Sequence, residues 1–129
     1  MSHTQMVSIV DDDPHAREGI KELVESLGYN ALAFVSAQDF LQSGAVATTS
    51  CLITDLQMPG LNGLELQEKL QEQGYHTPVI LITAYPNENH RRRALSGGAI
   101  GFLSKPFEEQ SLLECLTIAM KRPYDLPAA

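Results

Sequence analysis

The sequence has no tryptophan, four phenylalanines, four tyrosines and only two cysteines in 129 residues. Cys51 and Cys115 lie far apart in apolar surroundings, without CxxC or Cys/His spacing. That pattern argues against a disulfide framework or a zinc site and reads both as small buried hydrophobes. No apolar run approaches the roughly 20 residues that cross a bilayer, and no signal-peptide core is visible. The expectation is a cytoplasmic chain with no membrane association. Basic charge is also scarce: nine Lys and Arg against sixteen Asp and Glu leave a net charge of −7. A segment of that balance is not expected to grip a nucleic acid backbone by itself, although an attached module could. Phosphate cradles of the GxGxxG or GxxxxGK[ST] type are missing, which weighs against nucleotide binding. No Ser–His or Cys–His pair suggests a nucleophile and base.

What is present is ordinary globular composition, 43% hydrophobic and 19% charged, in a length that suits one domain. Five short apolar runs alternate with five helical segments. Met6–Val10 is the first run and stops at three acids, Asp11, Asp12 and Asp13. Pro14 suits a first helical turn, Asp13 is the natural N-cap, and Ile20, Leu23, Val24 and Leu27 recur at helical spacing before Gly28. Ala31–Val35 is the second strand, followed by a helix capped by Ser36 and a polar loop over 43–50. Cys51–Thr54 is the third, ending at Asp55, and Pro59 and Gly60 bend the loop behind it. A helix with Leu64, Leu66 and Leu70 inward ends at Gly74. Val79–Thr83 is the fourth strand; Pro86 opens a helix carrying Arg91, Arg92 and Arg93. Ile100–Leu103 is the fifth, followed by Ser104, Lys105 and Pro106. The last helix is expected over about 107–121, with Leu112, Leu113, Leu116 and Ile118 inward and Pro123 closing it. Residues 1–122 are expected to form the domain and 123–129 a linker or frayed tail.

Strict βα alternation with continuously apolar strands predicts a doubly wound parallel α/β sheet covered by helices on both faces. Right-handed crossovers then bring every strand's carboxyl end to one edge, where such sheets bind ligands. Asp11, Asp12, Asp55, Thr83 and Lys105 all fall at or just beyond those ends. Taken alone, Asp55 could be a turn cap; five such residues on one rim form a candidate site. Two acids beyond the capping Asp13 repel each other unless a cation lies between them. Clustered carboxylates suit a hard cation such as Mg²⁺, and a lysine suits a phosphoryl oxygen. A carboxylate can attack phosphorus and form an aspartyl phosphate, with the cation and lysine offsetting charge on the transferred group.

The set Asp11–Asp12, D-x-x-M-P-x-x-x-G from Asp55 to Gly63, Thr83–Ala84 and Lys105–Pro106 resembles a bacterial response-regulator receiver domain. The four motifs, in this order and spacing, cover about residues 5–121, and receivers of the FixJ type are the most similar. The resemblance implies a flavodoxin-like five-stranded sheet of order 2-1-3-4-5. It also implies that Asp55 accepts a phosphoryl group from a histidine kinase or phosphorelay partner. Asp12, Asp55 and the backbone carbonyl of Gln57 would then ligate Mg²⁺ directly, with Asp11 acting through water. Thr83 and Lys105 would hold phosphoryl oxygens, and the Lys105–Pro106 bond would be cis. Thr83 and Phe102 would form the switch that reshapes the face of the fourth helix, fifth strand and fifth helix. Through that face a phosphorylation-dependent homodimer, or an attached DNA-binding domain that regulates transcription, would be controlled. Gln57 and Tyr85 would flank the approach of water, with the bulk of Tyr85 shielding the acyl phosphate. The arginine run is either a solvated face or a patch for acids on a partner, and His15 is expected to be an exposed first-turn residue.

Two other readings compete. A phosphatase of the haloacid dehalogenase type would need D-x-D after its first strand, whereas Leu56 and Gln57 follow Asp55. A phosphate-independent docking module would not need the full acid, threonine and lysine set. Beyond its own phosphorylation and slow dephosphorylation, the chain is not expected to be an enzyme.

Overall fold

The five apolar runs pair side by side as a parallel sheet in the order β2-β1-β3-β4-β5. The computed structural model describes residues 5–121. The strands are β1 (Met6–Val10), β2 (Asn30–Phe34), β3 (Cys51–Asp55), β4 (Val79–Thr83) and β5 (Gly101–Ser104). Between and after them run α1 (Pro14–Ser26), α2 (Ala37–Gln42), α3 (Gly63–Glu72), α4 (Glu88–Ser96) and α5 (Glu109–Lys121). The doubly wound parallel sheet and its strand order are those expected.

Every residue of β3 and β4 is buried, because side chains alternate between two covered faces. One face carries Leu52 and Leu81 with Phe40, Leu56, Leu66 and Leu70, beneath α2, α3 and α4. The other carries Ile53 and Ile80 with Ile20, Val24, Leu112 and Leu116, beneath α1 and α5. β2 pairs with β1 only and is half exposed, as an edge strand. Leu23 and Leu27 are partly buried against the second cluster.

Helix boundaries follow local caps rather than the prolines. α1 has the expected Asp13 cap, whose carboxylate accepts from the His15 amide at 3.1 Å. α3 carries a reciprocal capping box between Asn62 and Glu65. α4 starts two residues after Pro86, because the Asn87 side chain accepts from the amides of Asn89 and His90. α5 starts at Glu109, later than 107, with Phe107 packed against the second cluster instead. In the loop over 43–50, one 3₁₀ turn, Val46–Thr48, buries Val46.

Two expectations about buried residues are corrected. Ile118 is 54% exposed, because Leu112, Leu116 and Ala119 set the inner stripe at i, i+4 and i+7 and leave it on the outer side. Cys115 is only half-buried, whereas Cys51 is fully buried in β3. Cys115 packs over Gly101, where an added Cβ would lie 2.5 Å from its sulfur. Burial pushes both thiols upward, away from thiolate character. The tail over 123–129 and Pro123 lie outside the described residues.

Candidate functional site

The parallel order places the carboxyl ends of β1, β3, β4 and β5 on one edge. The residues there come from four separate chain segments. The first is the elbow between β1 and α1. Asp11 is buried and turned inward, its Oδ1 accepting from the Asp13 amide at 2.9 Å. The Asp11 carbonyl accepts from Arg17 Nη1 at 2.8 Å, so the first turn of α1 reaches back to hold the elbow. Asp12 is exposed on the rim. Asp55 is the last residue of β3 and is 9% exposed. One carboxylate oxygen from each of Asp11, Asp12 and Asp55 lies within 4.8 Å of the others.

Lys105 comes from beyond β5. Its Nζ lies 3.2 Å from Asp11 Oδ2 and 3.6 Å from Asp55 Oδ1. The Lys105 amide donates to the Thr83 carbonyl at 2.8 Å, and the Lys105–Pro106 bond is cis. Thr83, the last residue of β4, is fully buried. Its hydroxyl donates to Gln57 Oε1 at 2.6 Å and accepts from the Tyr85 amide at 3.0 Å. Tyr85 is 74% exposed, so its ring stands largely in solvent rather than packed over the acids.

Close approach at Gly63 completes the loop after Asp55. A Cβ there would lie 2.7 Å from the Asp55 carbonyl and 2.6 Å from Leu81 Cδ2. Only glycine lets the start of α3 sit directly against the end of β3. The Gly63 amide donates to the Leu56 carbonyl at 2.9 Å, closing that loop.

The electrostatics match a site that awaits positive charge. Burial first, then the charge of Asp11, push the Asp55 carboxyl from 3.8 up to about 6, against the lowering effect of Lys105. For Lys105, burial works against the charged form, but Asp11 and then Asp55 outweigh it and hold the ammonium above its ordinary range. One ammonium thus faces two carboxylates, with that of Asp12 beside them. An all-oxygen donor set with surplus negative charge is the chemistry of a hard divalent cation, and the spacing of the three acids is close enough to share one.

The structure therefore brings together Asp11, Asp12, Asp55 and Lys105, and places Thr83 beside Gln57. Phe102 sits on β5 opposite Leu81, partly buried against the cluster beneath α2, α3 and α4. His15 is exposed, as expected. Of the arginines on α4, Arg93 pairs with Glu68 at 3.1 Å and Arg91 with Glu88 at 3.6 Å. Arg92 has no ion pair among the described residues. Three features were not anticipated: the hydrogen bond from Thr83 to the Gln57 side chain, the contact of Arg17 with the Asp11 carbonyl and the close approach at Gly63. Arg17 reaches a backbone carbonyl six residues earlier, a contact that no side-chain spacing signals. The place of Gln57 beside the site was expected, but not its bond to Thr83.

Comparison with known proteins agrees with this geometry. The response regulator receiver domain family model matches residues 7–117. The chain is 41% identical over 117 residues to Nodulation protein W of Bradyrhizobium diazoefficiens, covering 91% of this chain and 52% of that one. It is 34% identical over 122 residues to the transcriptional regulatory protein FixJ of Azorhizobium caulinodans, covering 95% and 58%. It spans about half the length of the curated relatives it matches. Among solved structures it resembles the crystal structure of FixJ-N, with TM-score 0.84, 28% identity, and 99% and 100% of the two chains covered. The response regulator StyR matches with TM-score 0.85 and 39% identity over 92% of this chain and 60% of that one.

Proposed function

Because the chain belongs to the response-regulator receiver domain family of two-component systems, whose members are not classical enzymes, we propose that Asp55 is its phosphoryl acceptor. The donor is a phosphohistidine on a sensor kinase or phosphorelay protein. A carboxylate oxygen of Asp55 attacks phosphorus, the P–N bond breaks, and the released imidazole nitrogen takes up a proton. The observation that carries this reading is the clustering of Asp11, Asp12 and Asp55 at one sheet edge, with the Lys105 ammonium against Asp11 and Asp55.

Asp12, Asp55 and the backbone carbonyl of Gln57, with Asp11 through water, would hold Mg²⁺, which would supply charge neutralisation on the phosphoryl oxygens. Lys105 holds one phosphoryl oxygen as a point charge, at the cost of its contact with Asp55. Thr83 donates its hydroxyl to another, and Phe102 moves with it. Asp55 at about 6 is mostly ionised at neutral pH and able to act as a nucleophile. The fold supports an output through the face of α4, β5 and α5, where phosphorylation would promote a homodimer or release an attached DNA-binding domain. Residues 1–122 would form the receiver and 123–129 a linker or tail. The transcriptional role belongs to the relatives and extends to this chain as part of the proposal.

Incubation with acetyl phosphate and Mg²⁺, followed by intact-protein mass measurement, tests this reading. One added phosphoryl group is expected in the native protein and none in Asp55→Asn. An unchanged native mass, with acetyl phosphate and with phosphorylated kinases alike, would leave a docking module as the better account. Continuous release of phosphate from many monoesters would point instead to a phosphatase.

A further inference from the structure

Thr83 has one hydroxyl proton, and the structure shows where it is committed. It goes to Gln57 Oε1 over 2.6 Å, while the Tyr85 amide fills the acceptor side at 3.0 Å. A donor already spent on Gln57 cannot also serve a group on Asp55. Thr83 is fully buried, whereas the Gln57 side chain that takes its proton belongs to an exposed residue. Any turn of the hydroxyl toward Asp55 must therefore release the Gln57 amide.

The released amide has a place to go. Gln57 lines a cleft of about 430 Å³ together with Leu56, Met58, Pro59, Asn62 and His90. His90, in the first turn of α4, lines the same cleft, and its Nδ1 is shielded from solvent with no hydrogen-bond partner among the described residues. An orphaned buried ring nitrogen is uncommon and costs stability. A primary amide both donates and accepts, so it satisfies Nδ1 in either tautomer of a neutral imidazole.

We propose that Gln57 is a two-position latch: it holds the Thr83 hydroxyl in the resting state and, once Thr83 turns to the phosphoryl group, swings across the cleft to His90. The latch rests on the reading of Asp55 as phosphoryl acceptor. It deepens that reading by giving the loop after Asp55 a direct link to α4, in parallel with any movement of Phe102. Gln57 acts through Thr83 and His90 and is a positioning residue, and the two bonds are mutually exclusive states of one side chain.

The test uses beryllofluoride as the phosphoryl mimic, at saturating Mg²⁺, on the full 129-residue chain. Nitrogen-15 spectra follow the Gln57 side-chain amide, the His90 ring nitrogens and the Asp55 backbone amide. The latch predicts that the Gln57 amide and His90 Nδ1 shift together as Asp55 is occupied, and that Gln57→Met abolishes the His90 shift. A double-mutant cycle gives the second readout. His90→Phe should weaken beryllofluoride binding about 2- to 10-fold when Gln57 is present, the worth of one net hydrogen bond, and less than about 2-fold in Gln57→Met. Beryllofluoride binding at Asp55 with the Gln57 and His90 signals unmoved overturns the latch and leaves the phosphoryl-acceptor reading standing. No response of the Asp55 amide in the native protein overturns both.

Discussion

Asp55 sits in surroundings that oppose its own ionisation, and this is measurable without any phosphoryl donor. Burial and the Asp11 charge raise its carboxyl from 3.8 to about 6. The folded state therefore binds that proton more tightly than the unfolded chain. Stability from this group is present below about pH 4 and is lost as pH rises through about 6. In metal-free buffer, Asp55→Asn is expected to unfold at higher denaturant concentration than the native protein at pH 7.5, by about 2 kcal/mol. The difference should vanish near pH 4, and Mg²⁺ should narrow it at pH 7.5 by stabilising the native protein alone. Equal stability of the two proteins across that range would mean that the carboxylates do not repel as their spacing implies. Lys105 and the three acids were readable from the sequence because each follows an apolar run at a strand end. The Thr83–Gln57 bond was not, because a glutamine's χ angles are set by packing that no local pattern encodes.

Among the elements, α4 differs from its neighbours. Of its nine residues only Ala94 is buried, and its other apolar residue, Leu95, is 40% exposed. Such a helix cannot rely on an apolar stripe and needs other support. That support comes from α3: buried Gln67 donates through Nε2 to the Ala94 carbonyl at 3.1 Å, and Gln71 donates to the Gly97 carbonyl. These glutamines satisfy carbonyls at the end of α4 that the helix itself leaves open. Hydrogen exchange should therefore be fastest in α4 among the helices of ten residues or so, and slower in α1 and α3. Gln67→Ala should accelerate α4 exchange and cost about 1–3 kcal/mol of stability through the lost bond and the space left behind. Protection in α4 equal to that in α3, unaffected by this substitution, would contradict the arrangement. Gly63 makes the complementary case at the start of α3. Gly63→Ala would force a Cβ to within 2.7 Å of the Asp55 carbonyl. It is expected to cost about 1–3 kcal/mol in thermal or denaturant unfolding. A fully stable variant would contradict the close approach.

Helix ends show where sequence reasoning stopped short. Pro86 marked the start of α4 by composition, yet Asn87 sets it, since a side chain that accepts from two amides outweighs a nearby proline. Ile118 was read as core because it is apolar, yet the phase fixed by Leu112 and Leu116 turns Ala119 inward instead. An isoleucine at 54% exposure on α5 belongs to the outer face rather than to the fold's interior.

At the scale of the whole molecule, one consequence of topology dominates. Parallel strands with right-handed crossovers deliver every strand's carboxyl end to the same edge. Asp11, Asp55 and Thr83, with Lys105 just past β5, reach that edge from positions spread over most of the chain. This convergence was legible because it needs only the βα alternation and the strand ends, not side-chain detail. The spread of charge follows the same logic. Among the described residues Lys105 is the one cation in an ion pair with these acids, with Arg17 on the Asp11 carbonyl, so three carboxylates gather around little positive charge. Among the described residues no helix is long and apolar enough to cross a membrane. On the proposed function, this edge makes an acyl phosphate on Asp55 and nowhere else. Phosphorylation with acetyl phosphate and Mg²⁺, borohydride reduction of the product and peptide sequencing test it directly. The account predicts homoserine at position 55 in place of aspartate, with Asp11 and Asp12 intact; homoserine at 11 or 12, or at no position, would contradict it.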